Sequence, residues 1–438
     1  MSGWWSKLFG GAKAPDPRPE PLPATAAAAP SRAAVPAPSF GARRPLVGAN
    51  GELAGFEFRL ASSTQRRMQE ASDGPAAAAH AIALLSAMRS TLAAGRHALC
   101  ELPASLLARP AVAEQVPDGA WLAVTGAFEP GESLAGALTQ WRTRGVKLGA
   151  ADGAPEPPGA SFVLLRPGAD GLNDVLNGCV RWQQTQPART RVAVDLPGVE
   201  AIEQALECGV ALAAGRVESG DAAFAQRRTV QPATQRLCQL LNDVVADRDT
   251  AHLGAELRAD LALSYRLLRS VNSPAVGLSK PIESIEQAVM VLGRGELYRW
   301  LSVLLTASGS GRKASRALQE VSLARARLLE LLATARGNAP PAAMFTVGLL
   351  SMLDALLQVP LAEALQPLQL AEPAREALLS HSGPWWPDLR LAMAIERHEL
   401  EISEALAAAH GGVDAVLALA EQAWAWSAEL SRAQANPA

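Results

Sequence analysis

The six histidines of this 438-residue chain, His80, His97, His252, His381, His398 and His410, stand singly, and none is followed by aspartate. Metal-dependent hydrolysis on imidazole needs histidines and carboxylates side by side, since each gives a lone pair to the cation. The four cysteines, Cys100, Cys179, Cys208 and Cys238, form no CxxC pair. That spacing disfavours a cysteine zinc site or a disulfide framework and fits a reducing, cytoplasmic setting. A basic stretch, Arg312-Lys313 and Arg316 with Arg325 and Arg327 further on, has the charge to attract phosphate. On a helix such a run reads as a solvated face. Trp385-Trp386, set between Pro384 and Pro387, reads more readily as a plug between helices than as an exposed recognition loop.

The elements that must position such residues fall into three stretches. Residues 1–40 hold eight of the 31 prolines, with alanines between them, a composition that predicts a semi-extended linker. Ahead of that linker, Trp4, Trp5, Leu8 and Phe9 would share one face of a helical turn, and membrane association is expected only if this head docks. From 41 to 228 short apolar strands alternate with helices: Arg44–Val47 and Leu53–Leu60 around the hairpin signal Asn50-Gly51, then Ala98–Leu102, Trp121–Thr125, Val146–Ala150, Ser161–Leu165, Arg191–Asp195 and Val210–Ala213. Eight strands predict a TIM-like α/β barrel. A stretch of about 185 residues against the ~250 typical of that fold predicts a shrunken or incomplete one. From 229 to 433 the strand signals stop and apolar residues recur at i, i+3, i+4 and i+7, as in Leu237, Leu240, Leu241 and Val244, so this part is all-α.

Composition narrows the function classes. At 49% apolar and 19% charged residues the chain can bury real cores. A net charge of −3 argues against a dedicated nucleic-acid binder. No stretch approaches the roughly 20 uncharged apolar residues of a membrane span.

The helical part resembles the HDOD family, a degenerate branch of the HD phosphohydrolases, through Asp260-Leu-Ala-Leu-Ser-Tyr-Arg-Leu-Leu-Arg-Ser-Val-Asn272-Ser273-Pro-Ala-Val-Gly277-Leu. Pro281-Ile-Glu-Ser-Ile-Glu-Gln-Ala-Val-Met-Val-Leu-Gly293 and Leu297-Tyr-Arg-Trp300 continue the pattern in register. Asn272, Ser273, Gly277, Pro281, Gly293 and Trp300 are its motif positions, structural or partner-binding; Asn272 and Ser273 read more readily as the end of a helix whose free backbone groups they satisfy than as part of a partner or ligand groove. Where HD hydrolases place adjacent His and Asp after Gly-Leu-Leu, this chain has Ser351 and Met352, so the resemblance implies no metal-dependent hydrolysis there.

The barrel part resembles an EAL-type cyclic di-GMP phosphodiesterase through Gly55-Phe-Glu57-Phe-Arg59. That family holds two metal ions on several carboxylates and an asparagine. Followed along this chain, Glu57, Glu101, Asp152 and Asp195 remain as remnants of that site. Ala123, Gly126, Ala151, Leu164 and Arg166 stand where other functional residues are implied. The ligand count implies no bound metal, no cofactor and no catalysis. The expected protein is a non-enzymatic bacterial signal-transduction regulator or scaffold. It would act through other signalling proteins in cyclic di-GMP-linked control of motility or biofilm, with weak cyclic di-GMP binding through Arg59 and Arg166. The alternative is a residual cyclic di-GMP phosphodiesterase using the four remaining carboxylates.

Overall fold

The computed structural model describes residues 43–59, 75–126, 132–219, 231–272, 282–308 and 311–435. Eight strands close into a barrel in sequence order: β1 Arg43–Gly48, β2 Leu53–Phe58, β3 His97–Pro103, β4 Trp121–Thr125, β5 Lys147–Ala151, β6 Phe162–Leu165, β7 Thr190–Leu196 and β8 Leu212–Gly215. β1 runs antiparallel to both β2 and β8, and every other neighbour is parallel. The sheet is therefore complete, and the shrinkage expected from length falls on the helices. The cover consists of α1 Pro75–Ala93, the single turns α2 Ala104–Leu107 and α3 Pro110–Ala113, α4 Glu132–Thr143, α5 Leu172–Thr185 and α6 Val199–Glu207. β5 passes to β6 with no helix, and β1 to β2 by a tight hairpin.

Alternation along the strands sorts side chains inward and outward. Leu46, Leu99, Trp121, Phe162, Leu164, Val192, Val194 and Leu212 fill the barrel interior, with the Trp121 and Phe162 rings 5.2 Å apart. α1 buries Ala81, Leu84, Leu85 and Met88 beneath it. By length and composition α1 is apolar enough to cross a membrane, contrary to the expectation of no such stretch. In the fold its apolar face instead covers the barrel wall.

The rest is helical: α7 Pro232–Val245, α8 Thr250–Arg258, α9 Leu261–Val271, α10 Ile285–Ala307, α11 Ser315–Arg336, α12 Pro341–Leu350, α13 Leu353–Leu357, α14 Leu361–Leu365, α15 Glu372–Arg375 continued by a π-helical turn to Ser380, α16 Trp386–Glu396, α17 Leu400–Ala407 and α18 Val413–Ala435. Gly293 interrupts α10 with a kink, at φ 71° and ψ 169°, a conformation that a residue with a Cβ strongly disfavours.

The two parts share one hydrophobic core. Ala314, Ala317, Leu318, Val321, Ala324, Met352, Ala355, Leu356 and Trp424 pack into the same cluster as Val47, Phe56 and the helices around the barrel. α11 thus lies against β1 and β2, where the hairpin leaves the wall without a helix of its own. The hairpin tip fits closely here: a Cβ on Gly51 would lie 1.8 Å from the Lys313 carbonyl oxygen, and Ala317 N–H donates to the Gly51 carbonyl at 3.1 Å.

The basic run is only partly a solvated face: Lys313 and Arg316 are exposed, while Arg312 and Arg325 are not. Arg312, with its side chain 2% exposed, donates to Glu200, Glu203, Ser219 and the Ala355 carbonyl, pinning the helical part to α6. Arg325 is buried as well. Sequence charge alone missed both because carboxylates far away in the chain meet them. Trp385 is buried in the helical core, and Trp386 stacks on His381 at 4.6 Å.

Candidate functional site at the barrel mouth

Parallel barrels gather their functional side chains where the strands end. Here Glu57 near the end of β2, Glu101 in β3, Asp195 near the end of β7 and Arg166 just past β6 meet at one rim. Arg44 joins them because β1 runs the other way, so its beginning lies beside the end of β2, and Arg44 is the register partner of Glu57. The register of β7 on β8 shifts between Ala193 and Leu196, and Asp195 sits in this irregularity at φ 62°. A left-handed aspartate costs on the order of 1 kcal/mol and is held only by its surroundings.

Three guanidiniums and three carboxylates form one network. Arg44 Nε donates to Glu57 Oε2 at 2.8 Å and Arg44 Nη2 to Asp195 Oδ1 at 2.9 Å. Arg59 Nε donates to Glu57 Oε1 at 2.6 Å and its Nη2 to Asp195 Oδ2 at 2.9 Å. Arg166 spans Asp195 Oδ2, at 3.0 Å from Nε, and Glu101. Glu57 is 1% exposed. Burial pushes its carboxyl up, but Arg44 and Arg59 outweigh burial and hold it below the usual carboxylate range. Asp195 is likewise held well below its ordinary value, burial being overcome by Arg59 and Arg44.

The helical part reaches this rim through the turn after α16. Arg397 Nε donates to Glu218, just past β8, at 2.6 Å. The next residue, His398, is in the left-handed region at φ 59°, and neither of its buried ring nitrogens has a hydrogen-bond partner. Burial, then the charge of Arg44, lowers its pKa to about 3, so the ring is neutral. A pocket of about 480 Å³ opens between this turn and the barrel, lined by Arg44, Asp195, Leu196, Pro197, Arg216 and Arg397.

The fourth carboxylate is elsewhere. Asp152 is bound by Arg181 and by Trp182 Nε1, at 3.0 Å, both on α5. Ala123 and Leu164 belong to the apolar barrel interior, and Gly126 lies at φ 81°. Two divalent ions do not fit this arrangement. Each rim carboxylate is engaged by arginine, and among the described residues no three His, Cys, Asp or Glu side chains converge on a metal position.

In the helical part, Asn272 Nδ2 donates to the Ile282 carbonyl at 2.7 Å and its Oδ1 accepts from the Ile282 N–H at 2.6 Å. Trp300 is buried in the helical core. Ser273, Gly277, Pro281 and the Trp4/Trp5 head lie outside the described residues. Ser351 Oγ accepts from Arg325 Nη1 at 2.8 Å, and Met352 is 2% exposed in the core shared with the barrel.

Sequence reasoning missed Arg44, Arg216, Arg397 and His398. Arg44 was within reach, because a hairpin folded about Asn50-Gly51 sets position 44 opposite 57. The other three carry no local signal.

The architecture is that of a two-part chain, an eight-stranded barrel followed by an HDOD domain, and residues 229–379 match that domain. Over 367 residues, 81% of this chain and 84% of the relative, the sequence is 27% identical to the cyclic di-GMP phosphodiesterase CdgJ of Vibrio cholerae. It is 35% identical over 161 residues to the uncharacterized protein YuxH of Bacillus subtilis, a match spanning 36% of this chain and 39% of that relative's length. Among solved structures, the EAL domain protein of Listeria monocytogenes EGD-e matches at 13% identity and a TM-score of 0.32, over 40% of this chain and 86% of that one. The chain is thus homologous to a protein of cyclic di-GMP signalling. The likeness to CdgJ overturns the expectation that the chain is not an enzyme, since that relative, matched over most of both chains, is itself a phosphodiesterase.

Proposed function

We propose that this chain is a cyclic di-GMP phosphodiesterase in which the dinucleotide is received at the barrel mouth. The observation that carries the reading is the network of Arg44, Arg59 and Arg166, whose carboxylate partners the oxygens of a phosphodiester can replace. The identity with CdgJ across 81% of the chain supports the same reading.

The chemistry follows from an exchange of partners. A guanidinium fork matches two phosphate oxygens as well as it matches a carboxylate. As the phosphodiester takes N–H donors from Arg59 and Arg166, Asp195 keeps only Arg44 and loses most of the hydrogen bonds that hold its basicity down. The freed carboxylate accepts a proton from a water molecule whose oxygen attacks phosphorus. The ester bond to the ribose oxygen breaks, that oxygen takes a proton from solvent, and the linear dinucleotide leaves. Fixed guanidiniums at the phosphoryl oxygens stabilise the developing charge throughout. Glu57 keeps Arg44 and Arg59 aimed. The helical part, in this reading, meets other signalling proteins; Leu261, Tyr265 and Met290 are its most exposed large apolar side chains among the described residues.

Chromatography of cyclic di-GMP incubated with the full chain tests the reading. Linear product is expected in EDTA as well as in Mg²⁺ or Mn²⁺, with a loss of about tenfold or more in Glu57→Gln. Absence of product under all three conditions would overturn it.

A further inference from the structure

The pocket beside the network is built from both parts of the chain. Arg44 and Asp195 belong to the barrel network, and Arg216 follows β8. Arg397 comes from the helical turn. Three of the six lining residues are arginines and one is acidic, and that one, Asp195, is already shared among Arg44, Arg59 and Arg166. Arg216 is exposed and has no side-chain hydrogen bond or ion pair among the described residues. Arg397 is fixed to Glu218 through Nε and Nη2, with Nη1 3.8 Å from Glu399 Oε1, which anchors its guanidinium at the pocket edge. Leu196 and Pro197 add apolar side chains to the lining.

A cavity with an uncommitted guanidinium, a second one pre-positioned by its own ion pair, and no free carboxylate is short of one thing, an anion with several acceptor oxygens. We propose that this pocket is a phosphate site whose donors come from both domains, Arg216 from the barrel and Arg397 from the HDOD side, so that a phosphate-bearing nucleotide is gripped only while the helical turn is docked. In its ligand this deepens the reading of the barrel mouth, because a cyclic dinucleotide carries a second phosphate next to the one held by Arg59 and Arg166. It goes beyond that reading in its donors, since neither Arg216 nor Arg397 belongs to the hydrolytic network, although Arg44 and Asp195 line both.

The test uses the full chain and the variants Arg216→Gln and Arg397→Gln. Binding of cyclic di-GMP and of GMP is measured by calorimetry, and protection by inorganic phosphate by thermal melting against chloride at matched ionic strength. Loss of one charge-assisted contact is expected to weaken binding about tenfold or more in each variant. Because Arg216 is exposed and has no side-chain partner among the described residues, its variant is expected to fold as the parent does, and melting without ligand checks this directly. Wild-type binding of cyclic di-GMP or GMP, or protection by phosphate, that both variants lose supports the pocket. Protection by phosphate that depends on both arginines, with no binding or turnover of cyclic di-GMP, leaves the pocket standing and removes the phosphodiesterase reading. Unchanged affinities in both variants overturn the pocket and leave that reading intact. A wild-type chain that binds none of the three ligands overturns the pocket outright.

Discussion

Arg325 donates to Ser351 Oγ at 2.8 Å and also binds Glu396, 3.0 Å from Nε to Oε1. This buried arginine stands beside the position where a His–Asp pair would hold a metal, and the neighbouring Met352 has turned into the core shared with the barrel. Restoring the residue types does not restore a site. Ser351→His with Met352→Asp is expected to take up no Mn²⁺ or Zn²⁺ and to lose about 3–5 kcal/mol of stability, because it buries an unpaired charge in an apolar core. Metal analysis after dialysis and denaturant unfolding check this. One bound ion at unchanged stability would contradict it.

Asp354 gives a pH signature. Burial lifts its pKa to about 6, with Arg325 pulling down and Glu218 pushing up. The folded chain therefore holds this proton more tightly than the unfolded chain, whose aspartate titrates near ~3.9. Its contribution is fully present below ~4 and is lost as pH rises through 6. Asp354→Asn should match the parent in stability near pH 4 and exceed it above pH 6, measured as the difference between two denaturation curves at each pH.

Asn272 bridges both backbone groups of Ile282 and so fixes the entry to α10. Asn272→Ala removes both bonds at once and is expected to cost about 1–2 kcal/mol. Asn272→Asp keeps the acceptor and loses the donor, so it should fall between the two in an equilibrium unfolding series.

Arg312 ties the helical part to Glu200 and Glu203 of α6. Arg312→Met keeps the buried stem and removes the charge. A loss of about 2–3 kcal/mol is expected, toward the low end for a broken buried pair because both glutamates touch solvent. Faster proteolysis at the junction should accompany it.

Much of the fold was legible in the sequence because its signals are local. Strand alternation and the Asn50-Gly51 hairpin marked all eight strands, and apolar periodicity marked the helices from Leu237 onward. Closure of the barrel was not legible, since chain length speaks of the helices missing after β5 as much as of strands. Three of the four acidic remnants, Glu57, Glu101 and Asp195, meet at the rim, while Asp152 is held away by Arg181 and Trp182. Counting carboxylates as metal ligands left out their arginine partners. Arg44 reaches Asp195 across 151 positions and Arg312 reaches Glu203 across 109, distances over which no local pattern speaks. His398 and Arg397 arrive at the mouth only because one turn of the helical part docks there.

The most direct measurement is the kinetics of Asp195→Asn, with binding and turnover of cyclic di-GMP followed separately. If the phosphodiester displaces Asp195 from Arg59 and Arg166 and the freed carboxylate takes the proton of water, the amide variant should bind the dinucleotide at least as tightly as the parent, having one competing anion fewer. It should convert the dinucleotide about a hundredfold more slowly, the usual range for loss of a general base. Turnover equal to that of the parent would contradict the account.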